Sequence, residues 1–177
     1  MQTGVGLTGK FWAHEHFGEN ARPDILAFGK KMQVCGILAG GKVDEVETNV
    51  FNVPSRINST WGGNLADMVR STKVLQIIEE DNLLTNSTIV GNYLHEKLFN
   101  IAEHSAIVSN VRGRGLMNAF DFPTKEMRDK FIKQGMEYNT MFLGCGDRSI
   151  RFRPALMMEQ KHIDEGMETV VTILNNM

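Results

Sequence analysis

The sequence predicts an α/β segment followed by an α+β domain, and three observations lead to this prediction. Residues 1–63 are rich in glycine and hold only short apolar runs, the clearest being Ile25-Leu26-Ala27-Phe28. Residues 64–83 carry one amphipathic helical pattern. From about residue 84, the patterns follow the order helix, strand pair, helix, strand pair, helix. We therefore expect the end of a larger sheet in 1–63, a connecting helix in 64–83 and a compact α+β domain in 84–177.

The apolar run at residues 25–28 lies between Pro23-Asp24 and Gly29. A short continuous apolar run with such boundaries is typical of a strand buried on both faces. Ile37-Leu38-Ala39 is a candidate for a second strand, and residues 52–63 are expected to form a long loop. Residues 1–63 hold too little apolar surface to close a core alone, so the remaining strands of their sheet are expected to come from elsewhere.

The helices and strands of the remaining residues follow from the spacing of apolar side chains. Helices are expected over 64–80 and 86–103, after Thr124, whose hydroxyl can cap a helix, and at the end of the chain. The last helix carries an apolar stripe of Ile163, Met167, Val170, Val171 and Leu174. Strands are expected at 107–111, 116–122, 140–143 and 149–153.

Composition excludes several classes of function. A formal charge of −2 and a pI of about 6.2 provide no basic surplus for nucleic-acid binding. No apolar run approaches the roughly 20 residues that span a membrane, and the first residues do not resemble a signal peptide. Two widely separated cysteines predict no disulfide framework and a reducing, cytoplasmic location. His14-Glu15-His16 lacks a third ligand nearby, so no metal site is expected.

Lys30 is the first candidate for chemistry. It comes just after the run at 25–28 and Gly29, and ligands of open α/β sheets gather beyond the carboxyl ends of strands. A lysine held there is partly desolvated, which lowers its pKa and frees its amine to attack a carbonyl. If the extended run continues, Lys30 and Lys31 point in opposite directions. The alternative is a solvated pair of surface lysines, and the residues alone leave it open.

Two further segments could hold an anion. The stretch Asn58-Ser59-Thr60-Trp61-Gly62-Gly63 opens a helix at Asn64, where hydroxyls and free amides suit a phosphate or carboxylate. In Ser149-Ile150-Arg151-Phe152-Arg153, alternation places the two arginines on one face, where a guanidinium can hold a carboxylate. The alternatives are a simple helix cap and an edge strand with solvated arginines.

Together and in this order, the motifs resemble the second half of class III aminotransferases, which are pyridoxal-phosphate (PLP) enzymes of fold type I. The resemblance spans nearly the whole chain. Its motifs are Gln2-Thr3-Gly4, Gly9 to His16, Pro23 to Lys30, Val111 to Leu116 and Gly144 to Pro154. The most particular blocks run from Lys31 to Gly36 and from Asn49 to Leu65, and they resemble the members that act on the ε-amino group of L-lysine.

The resemblance implies the end of the PLP-binding large domain followed by the small carboxy-terminal α+β domain. It implies that Lys30 binds PLP covalently and then moves a proton, that Gln2 contacts the cofactor ring, and that Thr60 holds its phosphate across a homodimer interface. Arg151 would bind the carboxylate of 2-oxoglutarate or of the amino acid, and Asn58 would help to orient the substrate. Arg153, on the same strand face, is a weaker candidate.

The resemblance also begins after part of the family's active site. The aspartate that keeps the PLP ring nitrogen protonated belongs three residues before the position of Gln2, and the phosphate loop and a second substrate-binding arginine come earlier still. We therefore expect a carboxy-terminal fragment that does not transaminate by itself. Three alternatives stay open: an enzyme acting on 4-aminobutyrate, an inactive dimerising fragment, and an anion-binding module built on Arg151 and Arg153.

Overall fold

A computed structural model describes residues 2–177, and these divide into two compact units. The first comprises residues 2–5 and 10–81, and the second comprises residues 6–9 and 82–177. The grouping of residues 6–9 with the second unit was not expected from the sequence, because four residues leave no periodic pattern. Leu7 explains the grouping, since it is buried in the core of the second unit and its carbonyl accepts a hydrogen bond from the amide of Leu116.

The first unit contains a two-stranded antiparallel sheet. Strand β1 (Ile25–Phe28) pairs with β2 (Gly36–Ala39), with Ile25 opposite Ala39 and Phe28 opposite Gly36. Both strands are confirmed, but the predicted burial of β1 is wrong, because Ile25 is 56% exposed. The physical reason is that β2 is the only strand paired with β1 among residues 2–177, so the outer edge of β1 and much of its surface are open.

The rest of the first unit is mostly irregular. Short 3₁₀ helices occur at Ala13–Phe17, Glu19–Ala21, Lys30–Met32 and Gly41–Glu45. One long helix, α1 (Leu65–Glu80), ends the unit. It begins where the sequence predicts, because the side-chain oxygen of Asn64 accepts a hydrogen bond from the amide of Ala66 at 2.9 Å and caps its first turn.

The second unit confirms the predicted order of elements. The bounds are α2 (Leu83–His104), β3 (Ser109–Arg114), β4 (Met117–Asp121), α3 (Lys125–Glu137), β5 (Leu143–Cys145), β6 (Ser149–Phe152) and α4 (Gln160–Asn175). The four strands form one antiparallel sheet in the order β3-β4-β6-β5.

Two strands lie later in the chain than the sequence predicts. Strand β5 starts at Leu143 rather than at residue 140, because the amide of Thr140 still binds the carbonyl of Gly135 and closes the end of α3. Strand β3 starts at Ser109 rather than at residue 107, and its pairing with β4 shifts register between Ser109 and Arg112. Alternation of apolar residues does not reveal such end effects.

The core of the second unit lies between one face of the sheet and the helices. Phe120 of β4 stands opposite Ile150 of β6, and both are fully buried. Rings of α3, of the end of β6 and of the residues beside β4 and β5 surround them: Phe122, Phe131, Phe142 and Phe152. Helix α4 buries Ile163, Met167, Val170 and Ile173. The predicted stripe was wrong at Val171, which is 42% exposed, because the buried face passes through Ile173 instead.

None of the helices formed by residues 2–177 combines the length and the apolar character that a membrane crossing requires.

Candidate functional site

Lys30 follows β1 directly, but the chain does not stay extended there. Strand β1 ends at Phe28, and Lys30 begins the 3₁₀ helix Lys30–Met32 with a φ angle of 54°. A lysine in the left-handed region stores backbone strain, of order 1–3 kcal/mol, and such residues cluster at functional sites. The condition for Lys30 and Lys31 to point in opposite directions, a continued extended strand, is therefore not met, because the chain has already turned at Lys30.

The two neighbouring lysines nevertheless differ in their surroundings. The ε-amino group of Lys31 donates a hydrogen bond to the carbonyl oxygen of Gly4. Lys30 is exposed, and its amine takes part in no hydrogen bond or ion pair with residues 2–177. The predicted desolvation of Lys30 is thus not provided by residues 2–177. Among these residues, the amine of Lys31 is hydrogen-bonded and the amine of Lys30 is not.

Gln2 belongs to the same part of the first unit. It is exposed and lies two residues before Gly4, the residue that accepts the hydrogen bond from Lys31. That bond joins the N-terminal segment to the turn after β1. Gln2 and Lys30 therefore lie close in the chain to the two ends of one hydrogen bond, Gln2 two residues from Gly4 and Lys30 next to Lys31.

The loop that carries Asn58 and Thr60 is exposed from residue 54 to residue 63. Its internal hydrogen bond runs from the amide of Gly62 to the hydroxyl of Ser59 at 3.0 Å, and Asn64 then caps α1. Asn58 and Thr60 make no hydrogen bond with residues 2–177, and the ring of Trp61 beside them is 76% exposed. The loop thus presents an amide, a hydroxyl and an indole to its surroundings.

Arg151 lies in the second unit, on the middle of β6. It stands opposite Ala119 of β4 on one side and Leu143 of β5 on the other. The predicted alternation is confirmed, because Ile150 is fully buried and Arg151 lies partly exposed on the opposite face. Arg153 follows two residues later, and its Nε is buried without a hydrogen-bond partner among residues 2–177.

Asp121 is a functional candidate that the sequence did not indicate. It ends β4, and its carboxylate is only 7% exposed. It accepts hydrogen bonds from the hydroxyl of Ser149 at 2.6 Å, from Nη1 of Arg112 at 2.8 Å and from Nδ2 of Asn110 at 2.8 Å. Nε of Arg148 lies 3.9 Å away. A lone aspartate at a strand end carries no motif, so only the three-dimensional contacts could reveal it.

The charge of Asp121 is stabilised by these neighbours. Burial raises the pKa of the carboxyl, but hydrogen bonds from Ser149, Asn110 and Arg112 outweigh burial, and the net effect holds the pKa below its ordinary value. The carboxylate therefore stays ionised at neutral pH and holds the start of β6, two residues before Arg151.

A broad groove of about 1330 Å³ opens in the second unit between the carboxyl-terminal halves of α2 and α4. Its walls include Ile101, Met167 and Val171, with Lys97 and Asp164 at one side. None of the predicted site residues lines it, and we assign it no part in the candidate site.

Comparison with known proteins matches residues 1–174 to the family model described as aminotransferase class-III. The chain is 49% identical over 176 residues to an L-lysine-epsilon aminotransferase from Amycolatopsis lactamdurans, and this covers 98% of the chain and 39% of the relative. A 4-aminobutyrate aminotransferase from Dictyostelium discoideum is 40% identical over 169 residues, covering 93% of the chain and 32% of that relative.

Among solved structures, a lysine aminotransferase from Mycobacterium tuberculosis superimposes with a TM-score of 0.93 at 47% sequence identity. The match covers 98% of this chain and 40% of that chain. The sequence thus spans about two fifths of the length of the proteins it matches. Because the family model covers nearly every residue and the fold superimposes along the same length, the chain belongs to the class III aminotransferase family.

Proposed function

We propose that this chain forms part of a PLP-dependent aminotransferase that transfers the ε-amino group of L-lysine to 2-oxoglutarate. The products are glutamate and 2-aminoadipate 6-semialdehyde. The observation that carries the proposal is Lys30, a strained and exposed lysine after β1 whose amine is not engaged by residues 2–177. Because the chain spans about 39% of its lysine-specific relative, the activity is proposed for a subunit that includes further residues.

The residues of the first unit fit the chemistry of PLP. Bound PLP acts as an electron sink for the carbon that loses its proton. Lys30 would hold the cofactor through its ε-amino group and then carry the proton at that nitrogen. Gln2 would contact the cofactor ring. Lys31 has no such role, because its amine is already bound to the carbonyl oxygen of Gly4.

The remaining proposed roles in binding the cofactor and the substrate belong to Thr60, Asn58 and Arg151. Thr60 would donate its hydroxyl hydrogen to the phosphate of a cofactor held by the partner subunit of a homodimer, and Asn58 would orient the substrate. Arg151 would form two parallel hydrogen bonds to a substrate carboxylate. The exposure of Asn58 and Thr60 supports their part, since both side chains are available to groups outside this chain.

Exposed apolar side chains support the proposed domain division and the proposed homodimer. Residues 1–63 would complete the large domain, 64–83 would connect, and 84–177 would form the small domain. Large apolar side chains of the first unit stay open to solvent, among them Ile25, Leu38, Trp61, Leu65 and Val69. Large apolar side chains exposed in such number are typical of a surface that another part of a protein covers. We propose that the rest of the subunit and a second subunit cover it, in the cytoplasm.

The preference for lysine over 4-aminobutyrate is supported by similarity. The chain is 49% identical to the lysine-specific relative and 40% identical to the 4-aminobutyrate-specific one. The block from Asn49 to Leu65 includes both Asn58 and Thr60, so the part of the sequence that most resembles lysine-specific members also holds two of the proposed site residues.

The proposal is tested by amino transfer in the full-length subunit. We expect glutamate to form from L-lysine and 2-oxoglutarate, with 4-aminobutyrate a poorer donor by at least about tenfold in kcat/KM. Lys30→Ala should abolish turnover. The matched control is Lys31→Ala, which removes the neighbouring amine and should retain turnover. Equal use of both donors would refute the lysine assignment, and turnover in Lys30→Ala would refute the assignment of Lys30.

A further inference from the structure

The proposed function assigns no role to the buried polar cluster around Asp121. Asp121, Arg112, Asn110 and Ser149 come from three strands and meet at one corner of the sheet. The carboxylate binds one group from β6 and two from β3, and Nη2 of Arg112 adds a hydrogen bond to the hydroxyl of Ser149 at 3.0 Å. The corner therefore ties the first residue of β6 to its neighbour β4 and, through Arg112, to β3 on the far side of β4.

Strand β6 is short, so only a few backbone pairs fix its position along β4. It is four residues long, and β5 on its other side is only three residues long. The alternation of Ile150 and Phe152 with Arg151 decides which side chains face the core. It does not decide between registers two residues apart, because the side-chain period of a strand is 2.

A shift of two residues would move Arg151 by about 6.6 Å along the sheet, since a strand rises about 3.3 Å per residue. Its guanidinium would then lose the place from which it reaches a carboxylate. The bond between Asp121 and Ser149 joins the two residues that stand opposite each other in the observed register. The same register places Arg151 opposite Ala119.

We propose that Asp121 is a positioning residue that sets the place of Arg151 by holding Ser149 at the start of β6, with Arg112 of β3 bound to both. This inference rests on the proposed function in one respect, namely that Arg151 binds a substrate carboxylate. Asp121 itself does not touch the substrate. Its effect reaches Arg151 through two residues of backbone, and its charge holds the three other polar groups of the corner in one arrangement.

The test uses Asp121→Asn in the full-length subunit, with Asp164→Asn as the matched control. Asp164 also accepts two hydrogen bonds, from the hydroxyl of Tyr93 at 2.7 Å and from Nζ of Lys97 at 2.9 Å, but it lies on α4 and does not touch the sheet. We expect Asp121→Asn to raise KM for 2-oxoglutarate and for L-lysine at least about fivefold while kcat changes less than about twofold. Asp164→Asn should change neither constant.

A donor without a carboxylate separates positioning from a general loss of structure. In the donor half-reaction, followed by the absorbance of the cofactor, 1,5-diaminopentane offers the same terminal amine as lysine and nothing for Arg151 to bind. Asp121→Asn should slow this donor no more than Asp164→Asn does. An equal loss for lysine and 1,5-diaminopentane, or equal effects of the two variants on KM, would overturn the proposal.

Hydrogen exchange gives a readout that does not depend on activity. In the 177-residue chain, Asp121→Asn should speed the exchange of the β6 amides at least about tenfold while the amides of α4 keep their rates. Unchanged protection of β6, or equal loss in β6 and α4, would refute the positioning role even in an active enzyme. If the full-length subunit transfers no amino group, the proposed function fails, and this exchange experiment still decides whether Asp121 holds β6.

Discussion

The strongest evidence at the scale of single residues is the difference between Lys30 and Lys31. Lys31 donates to the carbonyl of Gly4, whereas Lys30 is strained, exposed and unengaged among residues 2–177. The sequence could predict that Lys30 follows the end of β1, because a short apolar run followed by glycine marks a strand end. It could not show the left-handed turn at Lys30, because a three-residue 3₁₀ helix after the strand leaves no periodic pattern in the sequence.

The free energy of unfolding should depend on pH, because the ionised carboxylate of Asp121 contributes to it. Its folded pKa is held below the ordinary value of 3.8, so its contribution to stability is present above that value and is lost as the pH falls through the folded pKa. The positive charges that face it are Arg112 and Arg148, which stay charged in this range. In urea unfolding from pH 7 to pH 2, the free-energy difference between the wild type and Asp121→Asn should shrink below about pH 4. A constant difference over this range would contradict the assignment.

The cap of α3 provides a second prediction at this scale. The hydroxyl of Thr124 accepts a hydrogen bond from the amide of Met127 at 3.3 Å, as the sequence predicts. Thr124→Ala should lower the free energy of unfolding by about 1 kcal/mol in chemical denaturation. The control is Thr169→Ala in the interior of α4, where the hydroxyl binds the carbonyl of Glu165 and the change should stay within about 0.5 kcal/mol. Equal losses would show that the cap has no special role.

At the scale of elements, the packing of α2 on the β3–β4 hairpin depends on a close approach of two backbones. A Cβ atom added at Gly91 of α2 would lie 2.0 Å from the carbonyl carbon of Gly115, the first residue of the hairpin turn. Neither backbone can yield without moving a helix or a turn. Helix α2 can therefore lie against the hairpin only because position 91 has no side chain.

Two glycine substitutions test this packing. Gly91→Ala should lower the free energy of unfolding by at least about 3 kcal/mol or prevent folding. Gly166→Ala in α4 meets open space and should raise it by about 0.5–1 kcal/mol, because alanine favours the helix. Both changes are made in helices and measured by the same denaturant titration. A small effect at Gly91 would show that the helix and the hairpin are not tightly packed.

The order of the helices and strands was predicted more reliably than where each one ends and how deeply it is buried. The order helix, strand pair, helix, strand pair, helix is confirmed because apolar spacing depends on local geometry. The start of β5 was wrong because the bond from Thr140 to Gly135 extends the end of α3. The predicted burial of β1 was wrong because an apolar run predicts a buried strand, whereas the exposure of β1 depends on the strands that pair with it. Among residues 2–177, only β2 does so.

At the scale of the whole molecule, the two units differ in how much of their apolar surface each buries. The second unit has a closed core of aromatic and aliphatic side chains around Phe120 and Ile150. The first unit leaves much of its apolar surface open, including both strands of its sheet and the loop before α1. The proposed cofactor residues lie in this first unit, so we expect their reactivity to depend on what covers it.

The most direct test of the central claim, that Lys30 carries the cofactor, is addition of PLP to the purified 177-residue chain, followed by borohydride reduction and peptide mapping. We predict a near-visible absorption band and a label on Lys30 alone, with the band absent in Lys30→Ala and retained in Lys31→Ala. A label spread over many lysines, or an unchanged band in Lys30→Ala, would contradict it.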